Sequence, residues 1–195
     1  MNAPESLRLF LAIAIPETIL QELRRLQQEL QPCLPSNMAR WTRPGQFHLT
    51  LKFLGNIAAL DVDALSKKVR ALCASAPSLR LRAEGVGFFP NSRSSRVFWA
   101  GINSPDGLLP SFQRQLENAV QPYLEKTEES KFVPHLTLAR FEKLPRDATQ
   151  KLLVHLQADQ VFGEWTAQEV QLIESRLSPA GALHAILDTF KTKMD

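Results

Sequence analysis

Apolar and polar positions along the chain alternate between two periods, and the switches between them mark out the elements. RLFLAIAIP (Arg8 to Pro16) is a β-rich run closed by proline and is read as a strand. From Glu17 the period lengthens: Ile19, Leu20, Leu23, Leu26 and Leu30 recur at helical spacing, with Pro16 at the helix entrance. A proline-containing loop (QPCLPSN) and a strand end and turn (WTRPGQ) follow. FHLTLKFLG (Phe47 to Gly55) then alternates strictly. His48, Thr50 and Lys52 fall on one face, with Phe47, Leu49, Leu51 and Phe53 on the other. VDALSKKVRALCASA reads as an amphipathic helix capped by Asp61, and LRLRAEGVGFF as a strand bulged at Gly85 or Gly87.

The second half repeats the plan. RVFWAGI (Arg96 to Ile102) is a strand, SPDG a turn, and LLPSFQRQLENAVQPYLEK a helix stopped or kinked at Pro122. KFVPHLTLARF (Lys131 to Phe141) is a strand, and DATQKLLVHLQA a helix beginning near Asp147. WTAQEVQLIESRL, a Pro-Ala-Gly turn and LHAILDTF form a terminal hairpin. Each half therefore runs strand, helix, HLTL strand, helix. The tetrapeptide HLTL stands at 48–51 and again at 135–138. This pattern predicts an internal duplication at a period too long for a solenoid. The fold class expected is α+β: a single bilobal domain over 1–195 with two pseudo-symmetric lobes. Each lobe is a mainly antiparallel sheet flanked by helices, with a central cleft between them. One apolar face per HLTL strand is the reason to expect antiparallel sheets.

Composition narrows this picture little. The chain has 195 residues, 44% of them hydrophobic and 22% charged, with 23 basic and 20 acidic residues giving a net charge of +3. A bias this mild is compatible with an anionic ligand, and no basic tail of the nucleic-acid-binding kind is present. Two cysteines, Cys33 and Cys73, do not make a disulfide framework, which suits a reduced, cytoplasmic protein. The apolar stretch Leu9–Ile15 lacks a basic lead and ends at Pro16, so it reads as a strand rather than a signal peptide. No segment approaches the length needed to cross a bilayer.

The candidate chemistry lies in the repeat. A single histidine on a polar strand face is most often a surface or hydrogen-bonded residue. Two His-Thr pairs change the balance, because duplication for packing alone would keep the leucines and not the polar partners. Two of the four histidines lie here. If the lobes face each other, His48, Thr50, His135 and Thr137 converge on one small volume. With unperturbed pKa values near 6.5, one imidazole can take a proton from water while the other donates to a leaving alkoxide. The threonine hydroxyls can donate to phosphate oxygens, and Lys52, on the face of His48, can stabilise the added charge. In-line opening of a cyclic phosphodiester needs these two proton transfers on opposite sides of phosphorus.

Other chemistries have less support. No H-x-H, H-E-x-x-H or cysteine cluster accompanies the histidines, and Glu142 is the nearest acid to the second copy, so no metal is expected. Neither a P-loop nor G-x-G-x-x-G is present, so no nucleotide cofactor is expected either, and a nucleophile elbow is also missing. Among the aromatic residues Phe47, Trp41, Phe89 and Trp99 could stack on bases, although core packing is the usual fate of such side chains.

FHLTLKFLG and FVPHLTLARF together resemble the paired H-x-T-x motifs of the two-histidine phosphoesterase superfamily. Within it the chain looks most like the bacterial and archaeal RNA 2′,3′-cyclic phosphodiesterases, also called 2′–5′ RNA ligases. RLFLAIAIP, WTRPGQFHLTLKFLG, RVFWAGI and VQLIESRLSPAG fit the same family, so the likeness runs from about Arg8 to Phe190. The resemblance implies a cofactor-free, monomeric enzyme acting on RNA ends or 2′,3′-cyclic nucleotides. It makes His48 the proton donor to the leaving 3′ oxygen and His135 the proton acceptor that activates water. Thr50 and Thr137 would hold the phosphate, the product would be a 2′-phosphomonoester, and the reverse reaction would be 2′–5′ ligation. Without the resemblance, near-symmetry leaves the acid and base roles interchangeable.

The resemblance also places Arg140 at the phosphate, although strict alternation from His135 puts it on the opposite face, so a bulge or strong twist is required. Phe47 and Lys52 complete the expected substrate-binding set. One departure stands out: relatives often carry Tyr where this chain has His184. His155, on a predicted helix, is read as a solvated surface residue. Two other functions stay open at this level, a non-catalytic nucleotide-binding module and a phosphodiesterase for another 2′-linked nucleotide.

Overall fold

The computed structural model describes residues 6–125, 131–156, 160–178 and 181–193. Two antiparallel sheets stand side by side. The four-stranded sheet has the order β3-β1-β8-β9, from β1 (Ser6–Ala14), β3 (His48–Ala58), β8 (Glu169–Ser178) and β9 (Gly181–Lys191). The five-stranded sheet has the order β2-β6-β5-β4-β7, from β2 (Arg40–Trp41), β4 (Leu79–Phe89), β5 (Val97–Asn103), β6 (His135–Arg140) and β7 (Val161–Ala167). Four α-helices among the described residues flank them: α1 (Glu17–Leu30), α2 (Val62–Ser75), α3 (Leu108–Val120) and α4 (Arg146–Val154). The architecture is the expected α+β one. No described helix is long and apolar enough to cross a membrane.

Each sheet buries one face against helices, as period-2 strands with a single apolar face must. On β1, Leu9, Leu11 and Ile13 enter the main core with the helices. Phe10 and Ala12, between them, lie on the other face in a small cluster with Ile173 of β8. The helices cross over. α1 follows β1 of the four-stranded sheet yet packs against β7 of the five-stranded one, whereas α3 follows β5 and packs against β3. β3 and β6, the two HLTL strands, come within 8 Å of each other between Cα atoms, so the sheets meet along these strands.

Departures from the sequence reading are local. The helix at 62 starts after a 3₁₀ turn, Ala59–Asp61, and Asp61 makes no capping side-chain bond. The bulge in β4 falls at Gly85, where the register slips between Glu84 and Val86 and φ is 65°. Pro122 does end its helix, in a 3₁₀ turn, Gln121–Tyr123. The sequence pattern does not separate β7 as a strand of its own, because its residues run into the next strand without a turn signal. The turn residues Pro179 and Ala180, together with the predicted helical residues Lys126, Gln157 and Ala158, lie outside the described residues.

Candidate active site

A β-bulge inside each HLTL strand decides which side chains reach the space between the sheets. In β3, Lys52 pairs with Leu11 and Thr50 with Ala12, so Leu51 is the extra residue. In β6, Ala139 pairs with Phe98 and Thr137 with Trp99, so Leu138 is the extra residue. An inserted residue reverses the alternation beyond it. Lys52 is thereby placed beside the core residue Leu11, and Ala139 beside Phe98. The next residues, Phe53 and Arg140, turn to the side of the histidines. Burial follows the same rhythm in both strands: half-buried His, buried Leu, half-buried Thr, two buried residues, then an exposed one.

This one device corrects one expectation and explains another. Lys52 does not face His48. It is buried to 9% exposure and ion-pairs with Glu117 of α3, which holds the Glu117 carboxyl below its ordinary range. Strict alternation fails for it because the bulge precedes it. Arg140, which alternation alone would turn into the core, faces the cleft because of the bulge at Leu138. A second correction is independent of the bulge. Phe47, expected in the substrate-binding set, does not line the cleft: at 8% exposure it packs in the main core, where its ring recovers apolar burial.

The cleft is a cavity of about 620 Å³. His48, Thr50, His135 and Thr137 all line it, with Arg140 and His184. Phe10 and Phe53 form part of one wall, Trp41 and Thr42 part of another. Three arginines that the sequence reading misses, Arg8, Arg40 and Arg43, also reach it. No carboxylate among the described residues lines it. Arg40 lies directly across the β2–β6 ladder from Arg140. Like charges in that position repel, and neither guanidinium has an ion-pair partner among the described residues. The sole sequence signal for these arginines is the cluster R-W-T-R at 40–43, whose chain distance from the second HLTL copy hides their common destination.

Both imidazoles are fixed in the same way. His135 Nδ1 lies 2.8 Å from the Val133 carbonyl and donates to it in the neutral tautomer, which leaves Nε2 with its lone pair for the cleft. His48 is likewise hydrogen-bonded to the backbone of Gln46, again two residues upstream. Aromatic rings hold each one laterally. Phe10 lies 4.7 Å from His48 between ring centroids, and Phe89 meets His135 edge-on at 4.9 Å with Trp99 behind at 6.4 Å. Gly87 faces Trp99 so closely that a Cβ there would collide with the indole. Phe89 and Trp99 thus act on the histidine rather than lining the cavity.

Burial pushes the His48 pKa down to about 4, helped by the neighbouring His184, Arg140 and His135. Burial also lowers His135, with Arg140 adding to the effect. His184 sits edge-on to His48 at 5.2 Å and is lowered by burial too. The cleft therefore holds neutral imidazoles among guanidiniums that have no ion-pair partner among the described residues. An anion placed there would both satisfy the arginines and favour protonated histidine. Among the described residues no three His, Cys, Asp or Glu side chains are grouped to hold a metal.

Known proteins share this fold. The family described as LigT like Phosphoesterase matches residues 13–99 and 102–184, and each stretch contains one HLTL copy. A Methanocaldococcus jannaschii protein named RNA 2′,3′-cyclic phosphodiesterase is 30% identical over 183 residues, covering 93% of this chain and 98% of its own length. A Thermus thermophilus protein of the same name is 31% identical, covering 96% of this chain and 91% of its own length. Among solved structures, a Thermus thermophilus protein superposes with a TM-score of 0.78 at 26% identity over 96% of this chain and 99% of that one. Escherichia coli LigT complexed with 3′-AMP superposes with a TM-score of 0.77 over the same shares, and at 23% identity it shows the shared fold alone. The chain belongs to the LigT-like phosphoesterase family.

Proposed function

We propose that this protein is a metal-independent RNA 2′,3′-cyclic phosphodiesterase that opens cyclic phosphate ends to 2′-phosphomonoesters. The observation that carries the reading is the convergence of His48 and His135 in one cavity that is rich in arginine and, among the described residues, free of carboxylate. Such a site suits a phosphodiester anion and two proton transfers. Relatives named for this activity, at 30% and 31% identity over nearly the full chain, support it further.

The cyclic phosphate sits between the two imidazoles, its non-bridging oxygens accepting hydrogen bonds from Thr50 and Thr137 and facing the charge of Arg140. Water attacks phosphorus and gives its proton to His135 Nε2, the nitrogen left free by the Val133 hydrogen bond. The bond from phosphorus to the 3′ oxygen breaks, and that oxygen takes a proton from His48. The product carries the phosphate on the 2′ oxygen and a free 3′ hydroxyl. A buried histidine with a depressed pKa is a strong proton donor once charged, and the incoming anion is what charges it. This favours His48 as the acid. A ribose 5′ hydroxyl in place of water would run the same geometry toward a 2′–5′ linkage. The setting proposed is a cytoplasmic monomer processing RNA ends as one bilobal domain, consistent with the free thiols Cys33 and Cys73.

The test is hydrolysis of a 2′,3′-cyclic nucleotide in the presence of EDTA. Turnover to the 2′-phosphate that persists on chelation and is lost in His48→Ala and His135→Ala is expected. Turnover that disappears on chelation or survives either substitution overturns the mechanism. Nucleotide binding with no turnover would instead favour a binding module.

A further inference from the structure

Two buried glutamines are unaccounted for by the cleft, and they are related to each other. Gln27 and Gln113, each 5% exposed, lie on the apolar faces of α1 and α3. Burying an amide is costly unless its polar atoms are bonded. The surrounding sequence repeats: LRRLQQEL at 23–30 and LPSFQRQL at 109–116 both place glutamine directly after the second apolar residue of the stripe. Each stands upstream of one HLTL copy by nearly the same distance.

Their partners are the two bulge residues. Gln27 Nε2 donates to the carbonyl of Leu138 at 2.9 Å and to that of Thr42 at 3.0 Å. Gln113 Nε2 donates to the carbonyl of Leu51 at 3.3 Å and to Glu117 at 3.4 Å, and Glu117 in turn holds Lys52. Because the helices cross over, each glutamine braces the HLTL strand that lies in the other half of the sequence. Gln27 further ties the bulge of β6 to the segment carrying Trp41, Thr42 and Arg43, so one amide links two walls of the cleft.

We propose that Gln27 and Gln113 are positioning residues that hold the paired bulges and thereby aim Arg140 and Phe53 into the cleft. Bulge residues have freedom that a regular ladder denies, since one strand carries two residues against one. A buried donor on the bulge carbonyl removes that freedom. The inference rests on reading the cleft as a phosphodiester site only where turnover is the readout.

Gln27→Met keeps the length of the side chain and removes both donors. It is expected to lower kcat about tenfold, the cost of a small misplacement of a group that acts on the phosphate, with KM little changed. In an Arg140→Ala background the same substitution should cost less than about twofold, because the group it aims is already gone. An equal loss in both backgrounds, or no loss in the parent, overturns the proposal. A second readout does not need turnover. Arg140 lowers the pKa values of His48 and His135, so Gln27→Met should raise both titrations, followed by NMR of the ring protons, in the same direction as expected for Arg140→Ala. Unchanged titrations in folded Gln27→Met overturn the proposal. If Gln27→Met does not fold, Gln113→Met is paired with Phe53→Ala instead, since the strand it braces keeps the Lys52–Glu117 ion pair. A KM rise of about threefold that disappears without Phe53 is expected there, and an equal rise in both backgrounds overturns the proposal. If Arg140→Ala itself leaves cyclic phosphodiester hydrolysis intact, the functional reading fails while the titrations still test the brace.

Discussion

β3 and β6 begin with the same four residues, carry the same bulge, and end in opposite chemistry. In both, His and Thr face the cleft, the leucine between them enters the core, and the residue after the bulge is buried. The next residue is Phe53 on β3 and Arg140 on β6. The β3 side of the cleft is therefore the richer in aromatic rings, with Phe10 beside Phe53, and the β6 side the richer in cations, with Arg40 across from Arg140, while Arg8 joins the first and Trp41 the second. A substrate with a flat base and a charged phosphate is itself polar in this sense. On the proposed mechanism, near-symmetry supplies the pair of proton-transfer groups, while the broken positions would give the substrate a direction. That direction would distinguish acid from base between two histidines that look equivalent in sequence.

The residues that β3 and β6 share carry the largest expected effects. His48→Ala and His135→Ala are each expected to reduce kcat about 10³-fold, measured on a 2′,3′-cyclic nucleotide, with the protein still folded by circular dichroism. The two imidazoles should then separate in acid. The folded-state pKa of His48 is pushed down to about 4. Its neutral burial therefore costs nothing above the unfolded value near 6.5, and stability falls as pH drops from there toward 4, by up to ~3 kcal/mol. Urea unfolding across that range should show His48→Asn flattening this slope more than His135→Asn.

At the differing positions the expected effects are smaller. Arg140→Ala should lower kcat/KM about 10²-fold and weaken its salt dependence, because a charge acting on the reacting phosphate is removed. Phe53→Ala should mainly raise KM, by about tenfold with nucleotide substrates, in line with stacking of ~1–3 kcal/mol. Phe53 is 51% exposed, so its loss should barely change stability. Lys52→Met should do the reverse. It should cost about 1 kcal/mol of stability by calorimetry, since Glu117 remains partly solvated, and change kcat/KM by less than about threefold.

Lys52 and Arg140 show how far the chain can be read and where reading stops. Alternation from His48 places Lys52 in the cleft, and alternation from His135 places Arg140 out of it, yet each is reversed by one inserted residue ahead of it, Leu51 or Leu138. Nothing in HLTLKF or HLTLAR marks the bulge, because Leu51 and Leu138 are ordinary strand residues. The marker lies on another element, at Gln27 and Gln113, and is recognisable only as a second repeat. Phe47 is the opposite case: alternation puts it on the apolar face with Leu49, where it is buried, and only its expected place in the substrate-binding set is overturned. Arg8, Arg40 and Arg43 come from separate strands and turns, with no periodic pattern to unite them.

The order of strands and helices apart from β7, the doubling of HLTL and the chemistry two imidazoles can perform were all determined by the sequence itself, since period and residue type are local properties of the chain. Which residue beyond each threonine meets the cleft was decided by tertiary structure alone. A bulge forms where neighbouring strands and the helix behind them can satisfy the displaced backbone, and those partners are brought together only by folding.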